Sequence, residues 1–205
     1  MNVLKKSLLA SAVAFASATA VAELSMTVGM VSDYVYRGSS LGDAGAYGSV
    51  DYSSGGFYAG VWTIQDGQEP GDDGNLEYDI YAGYDTEIGG VSLGIGYTAY
   101  EYTYTGDSES EITLSAGMGP VSLSFSDGSD DNPGLEDVDY EVLSISADIG
   151  VFSITYGDYD ADDHNMVDGP EDYDWTEIST GTDVGAVSLG LTLGSASDGS
   201  DYLVL

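Results

Sequence analysis

From residue 23 onward, apolar and polar side chains alternate with a period of two, and Gly, Asp, Ser and Asn interrupt the alternation at short intervals. A period of two puts successive side chains on opposite faces of a β-strand, whereas a helix face recurs about every 3.6 residues. Leu24, Met26, Val28 and Met30 share one face, with Ser25, Thr27 and Gly29 on the other. Leu76, Tyr78, Ile80, Ala82 and Tyr84 likewise oppose Glu77, Asp79, Tyr81, Gly83 and Asp85, and Val187, Leu189, Leu191 and Leu193 oppose Ser188, Gly190, Thr192 and Gly194. A short unit recurs at Gly90-Val91-Ser92-Leu93, Pro120-Val121-Ser122-Leu123, Gly150-Val151-Phe152-Ser153 and Ala186-Val187-Ser188-Leu189. Each copy opens a strand after a tight turn, so the repeating element is a β-hairpin.

The pattern predicts twelve strands, at 24–37, 46–53, 57–65, 76–86, 91–104, 111–118, 121–127, 139–148, 151–158, 173–182, 186–194 and 201–205. Short turns (54–56, 87–90, 119–120, 149–150, 183–185) alternate strictly with longer acidic loops (38–45, 66–75, 105–110, 128–138, 159–172, 195–200). An even strand number with short turns at one end and long loops at the other describes a transmembrane β-barrel. A sandwich in water has no reason to send every long loop one way, and its exposed apolar face would be a liability. In lipid that face is required, and closure removes the unpaired edges. The expected fold is therefore all-β, an antiparallel transmembrane barrel of about twelve strands. Strands 57–65 and 173–182 do not separate cleanly into two faces. The last strand, 201–205, is about half of the roughly 9–11 residues a tilted span needs. The sequence stops at Leu205 rather than on an aromatic residue, which points to a truncated C-terminus or to closure by a short strand.

The segment before Glu23 follows a different pattern. Lys5 and Lys6 precede an apolar run, and Ala20-Val21-Ala22 forms a small-residue cleavage site. This is the pattern of a secretory signal peptide, too short to span a membrane as a helix. The expected division is a signal peptide at 1–22 and a barrel at 23–205, exported to the bacterial outer membrane. Lipid and lipopolysaccharide are then its surroundings. All 36 acids lie from Glu23 onward, and Arg37 is the one basic side chain there that opposes them. Nucleic acid is excluded as a partner, because binding it takes a basic patch that neutralises phosphates. Cysteine is absent, which leaves packing and sheet closure to hold the fold.

At Val31-Ser32-Asp33-Tyr34-Val35-Tyr36-Arg37-Gly38 the chain resembles the TorF-family porins, a group of proteobacterial outer-membrane proteins of uncertain function. The likeness continues through Gly56-Phe57-Tyr58-Ala59-Gly60-Val61-Trp62, Tyr78-Asp79-Ile80-Tyr81-Ala82-Gly83-Tyr84 and Gly96-Tyr97-Thr98-Ala99-Tyr100. It is specific over residues 30–105. The resemblance implies an outer-membrane barrel with a porin role and no assigned solute. This chain departs from the family in its extreme acidity and its non-aromatic terminus.

Charge placement supplies the candidate chemistry. Read on one long first strand, Arg37 shares the polar face with Asp33 and points into the lumen. Asp33, Arg37, Asp51, Glu77, Asp79 and Asp85 are the expected pore-lining residues, since acidic rings favour cations and repel anions. Most other acids, Glu109 and Glu111 among them, fall in or beside the long loops and are assigned to the outside. Tyr34, Tyr36, Trp62, Tyr100, Tyr102, Tyr104, Tyr156, Tyr159, Tyr173 and Trp175 cluster at the loop ends of strands, where an interfacial aromatic girdle is expected. The stretch Asp158-Tyr159-Asp160-Ala161-Asp162-Asp163 suggests divalent-cation binding but lacks the Gly and Glu of an EF-hand loop. No metal site or cofactor is assigned. An enzyme is not expected: the single histidine, His164, sits in the longest loop, and no nucleophile is placed beside a base. The expected function is passive, cation-preferring passage of small solutes. The alternative is a non-conducting barrel whose acidic loops bind divalent ions or a surface partner. The oligomeric state is left open.

Overall fold

The computed structural model of the chain describes residues 22–65, 76–103, 108–131, 138–161, 172–197 and 199–205. Fourteen strands follow in chain order. The first group is β1 (Glu23–Val31), β2 (Tyr34–Tyr36), β3 (Ser39–Gly42), β4 (Gly45–Ser54) and β5 (Phe57–Gln65). The middle group is β6 (Leu76–Ile88), β7 (Val91–Tyr102), β8 (Ser108–Met118), β9 (Val121–Asp131) and β10 (Val138–Ile149). The last group is β11 (Phe152–Ala161), β12 (Tyr173–Val184), β13 (Val187–Ala196) and β14 (Asp201–Val204). Twelve of them form one antiparallel sheet in the order β1-β4-β5-β6-β7-β8-β9-β10-β11-β12-β13-β14, curled into a nearly closed barrel. β2 and β3 form a separate two-stranded hairpin.

The all-β antiparallel barrel with twelve wall strands is thus as the alternation predicts, and the two faces are sorted as read. Ile80, Tyr84, Leu114, Leu123, Leu143, Ile145, Ile178 and Leu193 are exposed on the outer wall. On β9 to β12 this apolar row gives way toward the loop end to Asp127, Glu141, Asp158 and Asp174. These are linked by register, Asp127 opposite Glu141 and Asp158 opposite Asp174. An apolar belt bounded by charge is compatible with an outer-membrane barrel.

Three strands run three or four residues past their expected ends. β8 begins at Ser108, β9 reaches Asp131 and β11 reaches Ala161. Acids and glycines there read as loop, yet the ladder continues because the outer face stands clear of the apolar belt. Charge is tolerated on that side while the inner face keeps packing.

The first strand is the larger departure. It ends at Val31 instead of running to residue 37, and the expected loop 38–45 contains β3. Ser32-Asp33 bends the chain, and Arg37-Gly38 makes a two-residue turn with φ of 50° and 84°. Two positive φ angles in succession make the kind of turn that matches hairpin twist. Glycine takes such an angle freely, while a residue with a side chain is seldom found there.

Closure is completed at one end. β14 pairs with β13 over four residues, Thr192 to Ser195 against Val204 to Asp201. Ser32 N donates to Leu205 O (3.1 Å), and Leu205 N donates to Ser32 Oγ (3.0 Å). These bonds fasten the loop end of β1 to the last strand.

Candidate functional site in the barrel interior

The β2–β3 hairpin folds into the barrel at its loop end. The register explains why it can: Val31 and Gly45 are direct cross-strand partners, so the residues between them are a projection from an otherwise continuous β1–β4 ladder. The tyrosine hydroxyl of Tyr34 donates to Glu77 Oε1 on β6 (2.9 Å), and its ring packs 5.9 Å from Trp62 on β5. Tyr36 shares a hydrogen bond with the Tyr100 hydroxyl on β7 (2.8 Å). Arg37 reaches β8 and β9, and Gly38 lies against Trp175 of β12. One short hairpin thus touches the wall on both sides of the interior.

Arg37 is the centre of the arrangement. Its Nη1 lies 2.8 Å from Glu111 Oε2, its Nη2 donates to Glu111 Oε1 (2.9 Å), and Nη2 also donates to Ser126 Oγ (3.2 Å). The guanidinium carbon sits 4.7 Å from the centre of the Tyr36 ring. Glu111 is only 4% exposed and accepts further hydrogen bonds from Tyr100 (3.1 Å), Thr113 (3.2 Å) and Tyr140 (3.3 Å). A two-oxygen, two-nitrogen fork is the strongest common form of an ion pair. Here the hydroxyls of three strands also orient the carboxylate.

Three further acids of the interior are met by tyrosines, since no further Lys or Arg follows Arg37 in the sequence. Tyr81 donates to Asp51, Tyr102 to Glu109 (3.3 Å) and Tyr202 to Glu177 (2.8 Å). A phenol hydroxyl satisfies a carboxylate without neutralising it. The interior is therefore rich in carboxylates, with hydroxyls rather than cations beside most of them.

The sequence-derived candidates fall into place unevenly. Glu77 is buried against Tyr34, and Asp51 accepts from Ser49 Oγ (2.7 Å) as well as Tyr81. Asp79 has one buried carboxylate oxygen with no hydrogen-bond partner among the described residues. Asp85 occupies the space over its cross-strand partner Gly94. Arg37 is buried and faces inward, but from the hairpin turn and not from a wall strand. Asp33 is not its partner: it lies in the bend after β1 and accepts from Ser32 Oγ (2.9 Å).

Glu111, the actual partner, is not in an outer loop as expected, and neither is Glu109. Both lie on the inner face of β8, where Glu109, Glu111, Thr113 and Ser115 alternate with the outward Ile112, Leu114 and Met118. The signal that places them is that alternation, carried upstream of the expected strand start. The 66–75, 132–137 and 162–171 stretches, with His164 and with Asp162 and Asp163 of the 158–163 acidic run, lie outside the described residues. Among the described residues no group of three or more His, Asp or Glu side chains could hold a metal ion.

The aromatic girdle is also reassigned. Of the residues expected at an outer interface, Tyr156 is on the outer wall, and Tyr104 lies outside the described residues. Tyr34, Tyr100 and Trp175 are buried inside, with Tyr36, Trp62, Tyr102, Tyr159 and Tyr173 turned the same way. Tyr140, Tyr159 and Tyr173 stack in a row at 5.4 and 5.1 Å along the inner wall of β10 to β12, continued by Trp175 at 6.1 Å. This interior use of aromatics also explains why 57–65 and 173–182 resist division into faces. Trp62, Ile64 and Trp175 are apolar residues on the inner face, packed against the hairpin.

Toward the turn end the inner wall changes character. Paired hydroxyls replace the aromatics: Thr113 with Ser126, Ser124 with Ser144, and Ser146 with Thr155, each at 2.8 Å, then Ser179 with Thr192 at 3.0 Å. Along β8 to β13 the barrel therefore has an aromatic and acidic loop half occupied by the hairpin and a hydroxyl-lined turn half, whereas on β5 and β6 Tyr58 and Asp85 also line the turn half.

No curated protein and no solved structure matches the chain. A family pattern does match, over residues 15–196, which takes in the hairpin and almost the whole wall, and by it the chain belongs to the family described as bacterial protein of unknown function (Gcw_chp).

Proposed function

We propose that this chain is exported, sits in the bacterial outer membrane and passes small cationic solutes through its barrel. The observation that carries this reading is the acidity of the interior: Asp51, Glu77, Asp79, Asp85, Glu109 and Glu111 turn inward, and Arg37 is the only Lys or Arg from Glu23 onward. Carboxylates lining a narrow passage attract cations and repel anions. The outward apolar belt bounded by acids supports a lipid setting, and the signal-like segment before Glu23 supports export. The resemblance of residues 30–105 to the TorF-family porins supports the transport role. The hairpin then forms the constriction, with Arg37 setting the local field.

A second reading is favoured by the packing of the hairpin across the interior: a non-conducting barrel that works through its acidic loops. One experiment separates the two. The chain from Glu23 and a variant with residues 33–43 replaced by a short Gly-Ser turn are each refolded into planar bilayers under a tenfold KCl gradient. Discrete steps with a reversal potential on the K⁺ side are expected, larger in the shortened variant. If both proteins fold, as judged by heat-modifiable gel mobility, and both stay silent, passage is overturned in favour of the loops.

A further inference from the structure

We propose that the Glu111 pocket is a guanidinium receptor whose occupant in the closed barrel is the side chain of Arg37, so that small solutes bearing a guanidinium group compete for it and release the hairpin. This receptor rests on the reading of the barrel as a passage for cations and names the class of solute that opens it.

The pocket is built from the wall and not from the hairpin. Glu111 and Thr113 come from β8, Tyr100 from β7, Ser126 from β9 and Tyr140 from β10. Tyr100, Thr113 and Tyr140 all donate to Glu111, which holds both carboxylate oxygens in place for an incoming fork. The two Arg37 nitrogens meet the two oxygens at 2.8 and 2.9 Å, and Ser126 Oγ accepts a further hydrogen bond. That is recognition by shape: a planar cation with paired donors fits, whereas K⁺ or a quaternary ammonium offers charge without the fork.

The ligand in the pocket is tethered, and its tether is short. Arg37 sits at the tip of a hairpin, with a φ of 50° that a side-chain-bearing residue rarely adopts. The ion pair holds down the strained tip, while Tyr34 and Tyr36 anchor the strand behind it, so taking the pair frees the tip first. A short tether holds its group at an effective concentration in the millimolar range, so a free solute must reach roughly that level to compete. Removing Arg37 removes the competitor and leaves the receptor.

Both tryptophans of the chain report on the hairpin. Trp62 packs 5.9 Å from Tyr34, and Trp175 lies against Gly38. Chain from Glu23, refolded in detergent, is titrated with methylguanidinium while tryptophan emission is followed, with tetramethylammonium and KCl at equal ionic strength as references. Arg37→Ala should show a saturable response at a concentration at least tenfold below that of the wild type, and Arg37→Ala/Glu111→Gln should lose it.

A response no larger than that to tetramethylammonium, or one that survives Glu111→Gln, would overturn the receptor. Should Arg37→Ala fail to fold, Arg37→Lys keeps the charge without the fork. It should then release its hairpin at a lower methylguanidinium concentration than the wild type, and identical titrations of the two would sink the proposal. Currents recorded in parallel keep the two ideas apart. Saturable emission changes with no current in any variant leave the receptor standing and remove the passage. Currents with no preference for methylguanidinium over tetramethylammonium do the opposite.

Discussion

Trp175 lies flat over Gly157, its direct cross-strand partner, so closely that a methyl group on Gly157 would come within 2.2 Å of the indole. The same relationship recurs around the inner wall, always between register partners: Gly29 with Tyr47, Gly60 with Tyr81, Gly83 with Tyr58, Gly128 with Tyr140 and Gly194 with Tyr202. Each inward ring covers a stretch of backbone that a glycine leaves bare, and the pair pins the register of two strands.

Gly157→Ala should therefore be destabilising despite the modest chemical change. A side chain as stiff as indole, packed against Gly38 on its other side, cannot swing away without loosening the hairpin. Overpacking of this kind costs about 1–3 kcal/mol. The check is the urea midpoint of the barrel in detergent, alongside Gly48→Ala, where an added methyl group meets only ordinary contacts with Thr27 and Val28. A midpoint for Gly157→Ala no lower than for Gly48→Ala would show that the ring tolerates the methyl group.

Breaking the Arg37–Glu111 pair from either side strands a buried partner. Glu111→Gln leaves a buried guanidinium facing a neutral amide, and Arg37→Met leaves a buried carboxylate. Each single change is expected to cost about 3–5 kcal/mol, whereas replacing both groups by apolar residues recovers much of the loss. A double-mutant cycle with Glu111→Leu measures this. Additive losses would mean that the two side chains act independently.

Cation preference should follow the inner carboxylates and not the outer ones. Glu77→Gln combined with Asp79→Asn is expected to move the reversal potential toward zero in the KCl gradient. Glu141→Gln, on the outer face of β10 beyond the apolar belt, should leave it nearly unchanged. The opposite ranking would place the selectivity in the surface field of the loop end.

The limit of the apolar belt can be located on one strand. Ile145 and Glu141 lie on the same outer face of β10, with Leu143 between them. Arginine on the lipid face of a barrel costs roughly 2–4 kcal/mol at mid-membrane and close to nothing near the interface. Ile145→Arg should cut folding yield into lipid vesicles sharply, and Glu141→Arg should not. Equal yields would mean that lipid does not contact this face.

The order of wall strands, their alternating faces and the short-turn and long-loop ends are all legible in the sequence. These are properties of neighbours: a period of two decides a face, and Gly or Asp decides where a strand stops, without reference to distant residues. The wall strand β5, expected at 57–65, has those bounds in the structure. Even the inward position of Glu111 is present in the alternation of β8, obscured because acids and serines resemble a loop when the partner strand is unseen.

The hairpin is not legible in that way. Tyr34-Val35-Tyr36-Arg37 continues the alternation of β1 as well as it forms a strand of its own, and Arg37-Gly38 is a weak turn signal beside the usual Asn-Gly. What folds the segment inward lies elsewhere in the chain: Glu77 for Tyr34, Tyr100 for Tyr36, and for Arg37 a carboxylate 74 residues away. The same holds for the aromatics, since a tyrosine near a strand end suits an outer interface or an inner core equally well. Local periodicity therefore determined the wall. Only closure of the barrel, which brings distant strands around a single interior, decided what fills it.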